Sequence, residues 1–210
     1  MTYRAVIFDL GGVVFPSPFD VFDAYEREVG LPERFIRTVV AQSADNGAWA
    51  RFERSELSFP DFCTALEAEC VAAGGTIDAA ALMQGISGGF APRPEMTRAI
   101  GRLRDEGLRV GALTNNWARP DAGTLREPMD LGFDVVVESA VEGIRKPDPR
   151  IYELVCHRLD VTPPECVFLD DLGVNLKPAR AMGMTTIKVL DPHDALAELA
   201  GHLDLDLLPA

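Results

Sequence analysis

Positive charge is what this sequence has least of. Its 210 residues carry 20 Lys and Arg against 33 Asp and Glu, a formal net charge of -13. No basic run is present to track a phosphate backbone, so nucleic acid is excluded as a partner. Long hydrophobic runs are missing too. The most apolar stretch, Ala5 to Val14, is half of the roughly 20 residues a membrane-spanning helix needs, and Asp9 and Gly11-Gly12 interrupt it where a signal peptide is purely apolar. No membrane partner is expected, and a cytoplasmic address follows. Histidine and cysteine are sparse: His157, His193 and His202, and Cys63, Cys70, Cys156 and Cys166. They form no CxxC, HExxH or comparable cluster, which excludes the usual zinc frameworks. Cys63 and Cys70, seven apart, share a face of one helix as reduced packing thiols.

What is present is ordinary globular material, 47% hydrophobic and 25% charged, enough for one full core and a small insertion. Tyr3 to Phe8 is a continuous apolar run broken by Asp9-Leu10-Gly11-Gly12, the form of a buried strand ending in a loop. Four more strands are expected: Arg109 to Leu113 before Thr114-Asn115-Asn116, Val135 to Val137, Val167 to Leu169 before Asp170-Asp171, and Thr185 to Leu190. Helical stretches separate them at Glu95 to Glu106, Arg150 to Leu159, Leu176 to Met182 and Ala195 to Leu203. This alternation predicts an α/β fold, a Rossmann-like parallel sheet with helices on both faces. Asp148 and Pro149 supply a cap and a preset first residue for the helix at 150, which leaves Lys146 in the loop before it.

The segment 16–91 breaks the alternation. Helix formers fill Phe19 to Glu28, Glu33 to Gln42, Phe62 to Ala73 and Ala79 to Gly85, and Ser58 with Asp61 resembles a capping box. The expected organisation is a core of residues 1–15 and 92–210 with a small helical unit inserted at 16–91. Pro16 to Phe19 and Trp49 to Phe52 are candidate pocket walls, although aromatics at helical spacing are more often core.

Ligands of open parallel sheets bind outside the carboxyl ends of the strands. Asp9, Thr114, Asn115, Asp170 and Asp171 fall there. Each alone reads as a turn former, a helix cap or a solvated loop residue; their recurrence at three strand ends points to a site. The stretches FDLGGVV, LTNN, RKPDPRIY and VFLDDLGVNLKPA resemble the four motifs of the haloacid dehalogenase superfamily, in the branch with a helical cap after the first motif. Within it, LTNNW, KPDPRIY and VFLDDLGVNLKPARAMGM are similar to the phosphatase-like N-terminal domain of soluble epoxide hydrolases. The resemblance implies a phosphatase acting on small phosphorylated metabolites, with Asp9 as nucleophile, Thr114 and Asn115 as phosphoryl binders and Lys146 as a charge clamp. It also implies a magnesium site at Asp9, Asp171, nearby Asp170 and the Gly11 carbonyl.

Charge arithmetic agrees with that implication. Asp9, Asp170 and Asp171 with Lys146 total about -2, which repels a phosphate dianion at close range, and one divalent cation brings the sum to zero. Magnesium prefers such oxygen ligands, and an aspartate can take the phosphoryl group as an aspartyl-phosphate. One departure matters. Most phosphatases of the superfamily carry a second Asp two residues after the nucleophile as general acid and base, and here that position is Gly11. Such catalysis is worth about 10²- to 10⁴-fold. Three readings follow: a slow or specialised phosphatase, a catalytically silent phospho-ligand-binding relative, or a 2-haloacid dehalogenase, whose carbon chemistry also lacks the second Asp but leaves the Asp170-Asp171 pair without a purpose.

Overall fold

A computed structural model describes residues 2–87, 91–117 and 131–207. Five parallel strands form one sheet in the order β3-β2-β1-β4-β5: β1 Ala5–Phe8, β2 Arg109–Thr114, β3 Val135–Glu138, β4 Cys166–Asp170 and β5 Thr185–Lys188. All five coincide with the apolar runs of the sequence, with ends differing by a residue or two. The chain leaves β1 for β2 and β3 on one side, then crosses to β4 and β5 on the other. The direction of winding therefore switches between β1 and β4, the place where open sheets bind ligands.

Side chains alternate across the strands because a strand has a period of two. Val6, Phe8, Val110, Ala112, Val167, Leu169 and Ile187 point to one face, into a cluster with Met96, Ile100, Leu103, Leu196 and Leu199. Ala5, Ile7, Leu113, Cys166 and Phe168 point to the other, against Ile151, Tyr152, Val155, Leu159 and Leu176. Both faces are thus covered, which is why the strands read as unbroken apolar runs rather than alternating ones. At Gly111 an added Cβ would lie 2.9 Å from Leu159 Cδ1. Glycine there lets the helix at 149–159 approach the sheet closely.

Between β1 and the sheet-covering helix α6 (Pro94–Asp105) lie, among the described residues, five α-helices, α1 Pro18–Val29, α2 Phe35–Ser43, α3 Ala48–Glu53, α4 Phe59–Ala72 and α5 Ala79–Ser87, and a 3-10 turn at Ala44–Asn46. They enclose their own cluster, with Phe22, Ile36, Trp49, Phe52, Phe62, Leu66, Leu82 and Met83 buried. The capping residues act as expected: Ser58 Oγ accepts the Asp61 amide at 3.3 Å, and Asp148 accepts the Arg150 amide at 3.0 Å. Helix α4 begins at Phe59, three residues before the expected start, and the short helix Ser139–Glu142 was not expected; two further differences have a clear physical cause. Helix α2 begins at Phe35 because Arg34 takes a left-handed conformation (φ 62°) and the Glu26 carboxylate receives the Arg34 and Ile36 amides, each at 2.7 Å. Helix α3 has no counterpart among the expected helices, and it buries Trp49 and Phe52 in the core of the helical segment. After β3 come α7 (Ser139–Glu142), α8 (Pro149–Leu159), α9 (Gly173–Ala181) and α10 (Pro192–Leu203). All four cysteines are free thiols, and Cys63 and Cys70 both lie in α4. No helix among the described residues is long and apolar enough to cross a membrane.

Candidate active site

The switch point gathers the polar residues that the strand ends predicted. Asp9 follows β1, Asp170 closes β4, and Lys146 enters from the loop before α8. The Lys146 ammonium lies 2.9 Å from Asp9 Oδ1 and 2.7 Å from Asp170 Oδ2, with no exposed surface of its own. Burial alone would lower its pKa, but Asp170 and Asp9 together hold it above the ordinary lysine value. The lysine is charged, and neither carboxylate is buried without a partner.

Asp170 is the most enclosed member. Its Oδ1 accepts from the Leu172 amide (2.8 Å) and Asn175 Nδ2 (3.0 Å), and its Oδ2 from Lys146 and Asn175 Nδ2 (3.1 Å). Two acceptor sites per carboxylate oxygen are then filled. Asn175 is in turn placed by Tyr152, whose hydroxyl donates to the Asn175 carbonyl at 2.7 Å. Neither Asn175 nor Tyr152 was singled out from the sequence, although both sit inside the motif stretches that carry Lys146 and Asp170.

Asp9 is held on one oxygen only. Its Oδ1 accepts from the Leu10 amide at 2.7 Å and faces Lys146; its Oδ2 has no hydrogen-bond partner among the described residues. Burial first, then the charges of Asp170 and Asp171, push the Asp9 carboxyl well above its usual range, against the pull of Lys146. Asp171 is pushed up to about 6, by burial and by Asp170. One oxygen each from Asp9, Asp170 and Asp171 lie within 4.8 Å of one another. Burial raises both values most, and the mutual repulsion of three carboxylates at that spacing adds to it.

Gly12 makes the spacing possible. It has φ 79°, and a Cβ there would run into the Asp171 carboxylate, so only glycine fits. Gly11 is different. A Cβ would meet nothing closer than Pro18 Cδ at 3.4 Å, an ordinary contact. Sterics do not forbid a side chain at position 11; its carboxylate is simply missing.

Thr114 ends β2 and is 4% exposed. Asn115 has a more specific task than the phosphoryl contact expected of it. Its Oδ1 accepts the Lys146 amide at 2.9 Å and its Nδ2 donates to the Lys146 carbonyl at 3.0 Å. This two-point grip fixes the backbone of the lysine loop, leaving one amide hydrogen of Asn115 without a partner among the described residues. Asn116 performs a similar task next door, donating to Glu138 at 2.7 Å, exchanging bonds with Ser139 and accepting the Ala140 amide at 3.3 Å.

The helical segment meets the site through a few contacts. Trp117, just past β2, lies against Trp49 and Phe52, with ring centroids 5.8 and 6.1 Å away. Arg145, beside Lys146, donates to Glu53 Oε2 at 2.7 Å, while Glu53 Oε1 accepts from Trp49 Nε1 at 2.9 Å. Ser55 Oγ donates to the Ala140 carbonyl at 2.8 Å.

Known proteins resemble this chain in sequence and in fold. Residues 3–183 match the haloacid dehalogenase-like hydrolase family. The chain is 40% identical over 210 residues to acyl-CoA dehydrogenase family member 10 of Mus musculus, covering 98% of this chain and 20% of that protein. It is 32% identical over 228 residues to bifunctional epoxide hydrolase 2 of Sus scrofa, covering 99% and 40%. The chain therefore spans less than half the length of those two relatives. Sesquiterpene phosphatase astK of Aspergillus oryzae is 33% identical over 202 residues, with 94% of this chain and 95% of that one covered. Among solved structures, a family enzyme from Bacteroides thetaiotaomicron in complex with magnesium and inorganic phosphate superposes with a TM-score of 0.61 at 17% identity, covering 89% and 93% of the two chains. By its matched length and by the placement of its strand-end carboxylates, this chain is a member of the haloacid dehalogenase-like hydrolase family.

Proposed function

We propose that this chain is a magnesium-dependent phosphatase of small phosphorylated molecules that works through an aspartyl-phosphate on Asp9. The observation that carries the reading is the group of three carboxylates around one buried lysine at the sheet's switch point. The match to a relative named as a phosphatase along almost the whole of both chains supports it, and a fold neighbour's complex with magnesium and phosphate is in keeping with it.

The donor set fits magnesium. It is all oxygen, short of positive charge, and has no competing His or Cys. Asp170 is saturated by Lys146, Leu172 and Asn175, so Asp9, Asp171 and the Gly11 carbonyl are the residues that would hold the ion. When bound, magnesium supplies the charge that lets a phosphate dianion approach. Asp9 Oδ2, the oxygen without a partner, is presented for in-line attack on phosphorus, while Lys146 and the Leu10 amide keep Oδ1 fixed. Lys146, Thr114 and the remaining amide hydrogen of Asn115 stabilise charge on the transferring oxygens.

Position 11, where a proton carrier is expected, has no side chain to supply one. Among the described residues the charges that act on Asp9 are Lys146, Asp170 and Asp171, and their roles lie in charge balance and metal binding. Esters with acidic leaving groups should therefore react best, and clearing the aspartyl-phosphate should be slow. The test is magnesium-dependent phosphate release from p-nitrophenyl phosphate and acetyl phosphate. Gly11→Asp should raise turnover about 10- to 100-fold, most for alkyl esters, since the position has room for the side chain. A broad phosphate panel without turnover would sink the reading and favour a silent phospho-ligand binder, which the absence at Gly11 also suits.

A further inference from the structure

Cys156 and Cys166 meet at the junction of α8 and β4. Their sulfurs lie 3.9 Å apart, and both residues are buried. The cysteines of the helical segment are placed differently. Cys63 and Cys70 are seven positions apart on α4, about 10 Å along the helix axis, so their sulfurs cannot meet. A disulfide needs its sulfurs at about 2.05 Å, a separation that two thiols already in contact reach through small side-chain rotations.

The chain between the two sulfurs is tied in place. Helix α8 ends where Asp160 turns left-handed (φ 57°), and the Val161 amide donates to the Cys156 carbonyl at 3.1 Å. A 3-10 turn, Pro163–Glu165, follows. The Glu165 carboxylate secures it, accepting the Thr162 amide at 2.7 Å and the Thr162 hydroxyl at 2.8 Å. The Arg4 amide then donates to the Glu165 carbonyl at 2.9 Å, which fixes the start of β4 beside β1. These bonds hold the sulfurs opposed beforehand, so little ordering remains when they join.

The two thiols are also unequal. Cys166 Sγ lies 3.4 Å from the Thr162 carbonyl as well as against Cys156. Its hydrogen bond draws the Cys156 thiol below the ordinary range in spite of burial, while the Cys166 thiol is held well above it. Cys156 lies in the last turn of α8, and Cys166 opens a central strand. Helix ends open more readily than central strands, which makes Cys156 the sulfur that reacts first and Cys166 the one that resolves.

We propose that Cys156 and Cys166 form an oxidation site, which a small hydroperoxide converts into a disulfide that staples α8 to β4. The Cys156 thiolate takes one peroxide oxygen as a sulfenic acid, and the departing hydroxide picks up the thiol's proton to leave as water. The Cys166 sulfur then attacks the Cys156 sulfur and expels its hydroxyl, which leaves as water with the Cys166 proton. Two thiols are oxidised and one hydrogen peroxide is reduced to two waters. Lys146 precedes α8 and Asp170 closes β4, so the staple joins the elements that position these two residues, at the end of β4 opposite Asp170. It braces the scaffold and leaves the reacting atoms alone.

The full chain is treated under native conditions with stoichiometric hydrogen peroxide, blocked with N-ethylmaleimide in denaturant and digested with trypsin, which cuts between the two cysteines at Arg158. Peptides 151–158 and 159–180 should appear joined, two hydrogens lighter than their sum, and should separate on reduction. The melting temperature should rise by about 5 °C or more and fall back with dithiothreitol. Cys156→Ala and Cys166→Ala should each abolish both changes. Both thiols still open to N-ethylmaleimide, a sulfinic acid at Cys156 without a link, a link through Cys63 or Cys70 instead, or a linked chain that melts no higher overturns the proposal. The mass reading is made on the unaltered chain, so it decides even where an alanine variant does not fold.

Discussion

The sheet and the helical segment between β1 and α6 solve opposite problems. The sheet buries charge: Lys146 and Asp170 have no exposed surface and Asp9 has 7%, and no buried side-chain nitrogen or oxygen among the described residues is left without a partner. The helical segment buries two carboxylates, Glu26 and Glu53, but its interior is built around rings: Trp49, Phe52, Phe62 and Phe22 stack or meet edge to face. Polar networks fix positions, because an unmade bond in low dielectric is costly, whereas aromatic clusters give area with little directional demand. Chemistry that needs placed charges sits on the sheet. We propose that the other part governs access to the site, as lids do in many enzymes.

The strongest way to break this division is to remove the nucleophile. Asp9→Asn should lower phosphate release by about 10⁴-fold or more, with the circular dichroism spectrum unchanged. The swap removes one of three crowded carboxylates, so the folded state is not expected to suffer. Residual turnover close to wild type would move the chemistry away from β1 and undo the assignment of the sheet as the reactive half.

The next effect concerns the other half. Phe52 is 4% exposed, stacks on Phe62 at 4.1 Å and faces Trp117. Phe52→Ala should cost about 3 to 5 kcal/mol. Both tryptophans of the chain, Trp49 and Trp117, lie in this cluster, so their fluorescence reports on the helical segment and its seam with the sheet. Circular dichroism reports on both parts. In urea the fluorescence midpoint of Phe52→Ala should fall further than the dichroism midpoint; coincident midpoints would show one cooperative unit instead of two differently built ones.

The sheet was far more legible in the sequence than its supporting network. Strands β1, β2 and β4 announce themselves as apolar runs ending in Asp9, Thr114 and Asp170, because a doubly covered sheet leaves no other pattern. Contacts that bridge long stretches of chain leave no such trace. Asn115 grips Lys146 across 31 residues, and Arg145 reaches Glu53 across 92. The Glu26 cap on α2 was hidden for a milder form of the same reason: its amides are 8 and 10 residues away, beyond the reach of local capping rules. Helix α3 was missed because it is short, follows Gly47 and holds two large aromatics whose burial, not propensity, forms it.

A smaller effect tests the crowding of carboxylates in the metal-free protein. The Asp171 pKa is raised to about 6 from an ordinary 3.8. Below 3.8 the group is protonated whether the chain is folded or not, and Asp and Asn at 171 should be nearly equal in stability. Between 3.8 and about 6 the unfolded chain loses its proton first, which draws the equilibrium toward unfolding. Asp171→Asn should therefore gain about 1 to 3 kcal/mol on wild type as pH rises through that window, at roughly 1.4 kcal/mol for each pH unit crossed. Denaturant midpoints at pH 4 and 7.5 check the sign. Magnesium should stabilise wild type most at the higher pH, where the carboxylates are charged.

The smallest effect probes the seam itself. Ser55 is exposed, sits at φ 57° and donates to the Ala140 carbonyl at 2.8 Å. Ser55→Ala loses the bond and keeps the left-handed backbone, at a cost of about 0.5 to 1.5 kcal/mol. Ser55→Gly loses the same bond but relieves about 1 to 2 kcal/mol of left-handed strain, so its stability should return to near wild type. Both variants loosen one link between the helical segment and the sheet. If the segment governs access, KM and kcat should shift together in both, in spite of their different stabilities. If the kinetic change instead follows stability, rising in Ala and vanishing in Gly, then the seam serves folding alone and the contrast between a reactive sheet and a gating segment loses its functional half.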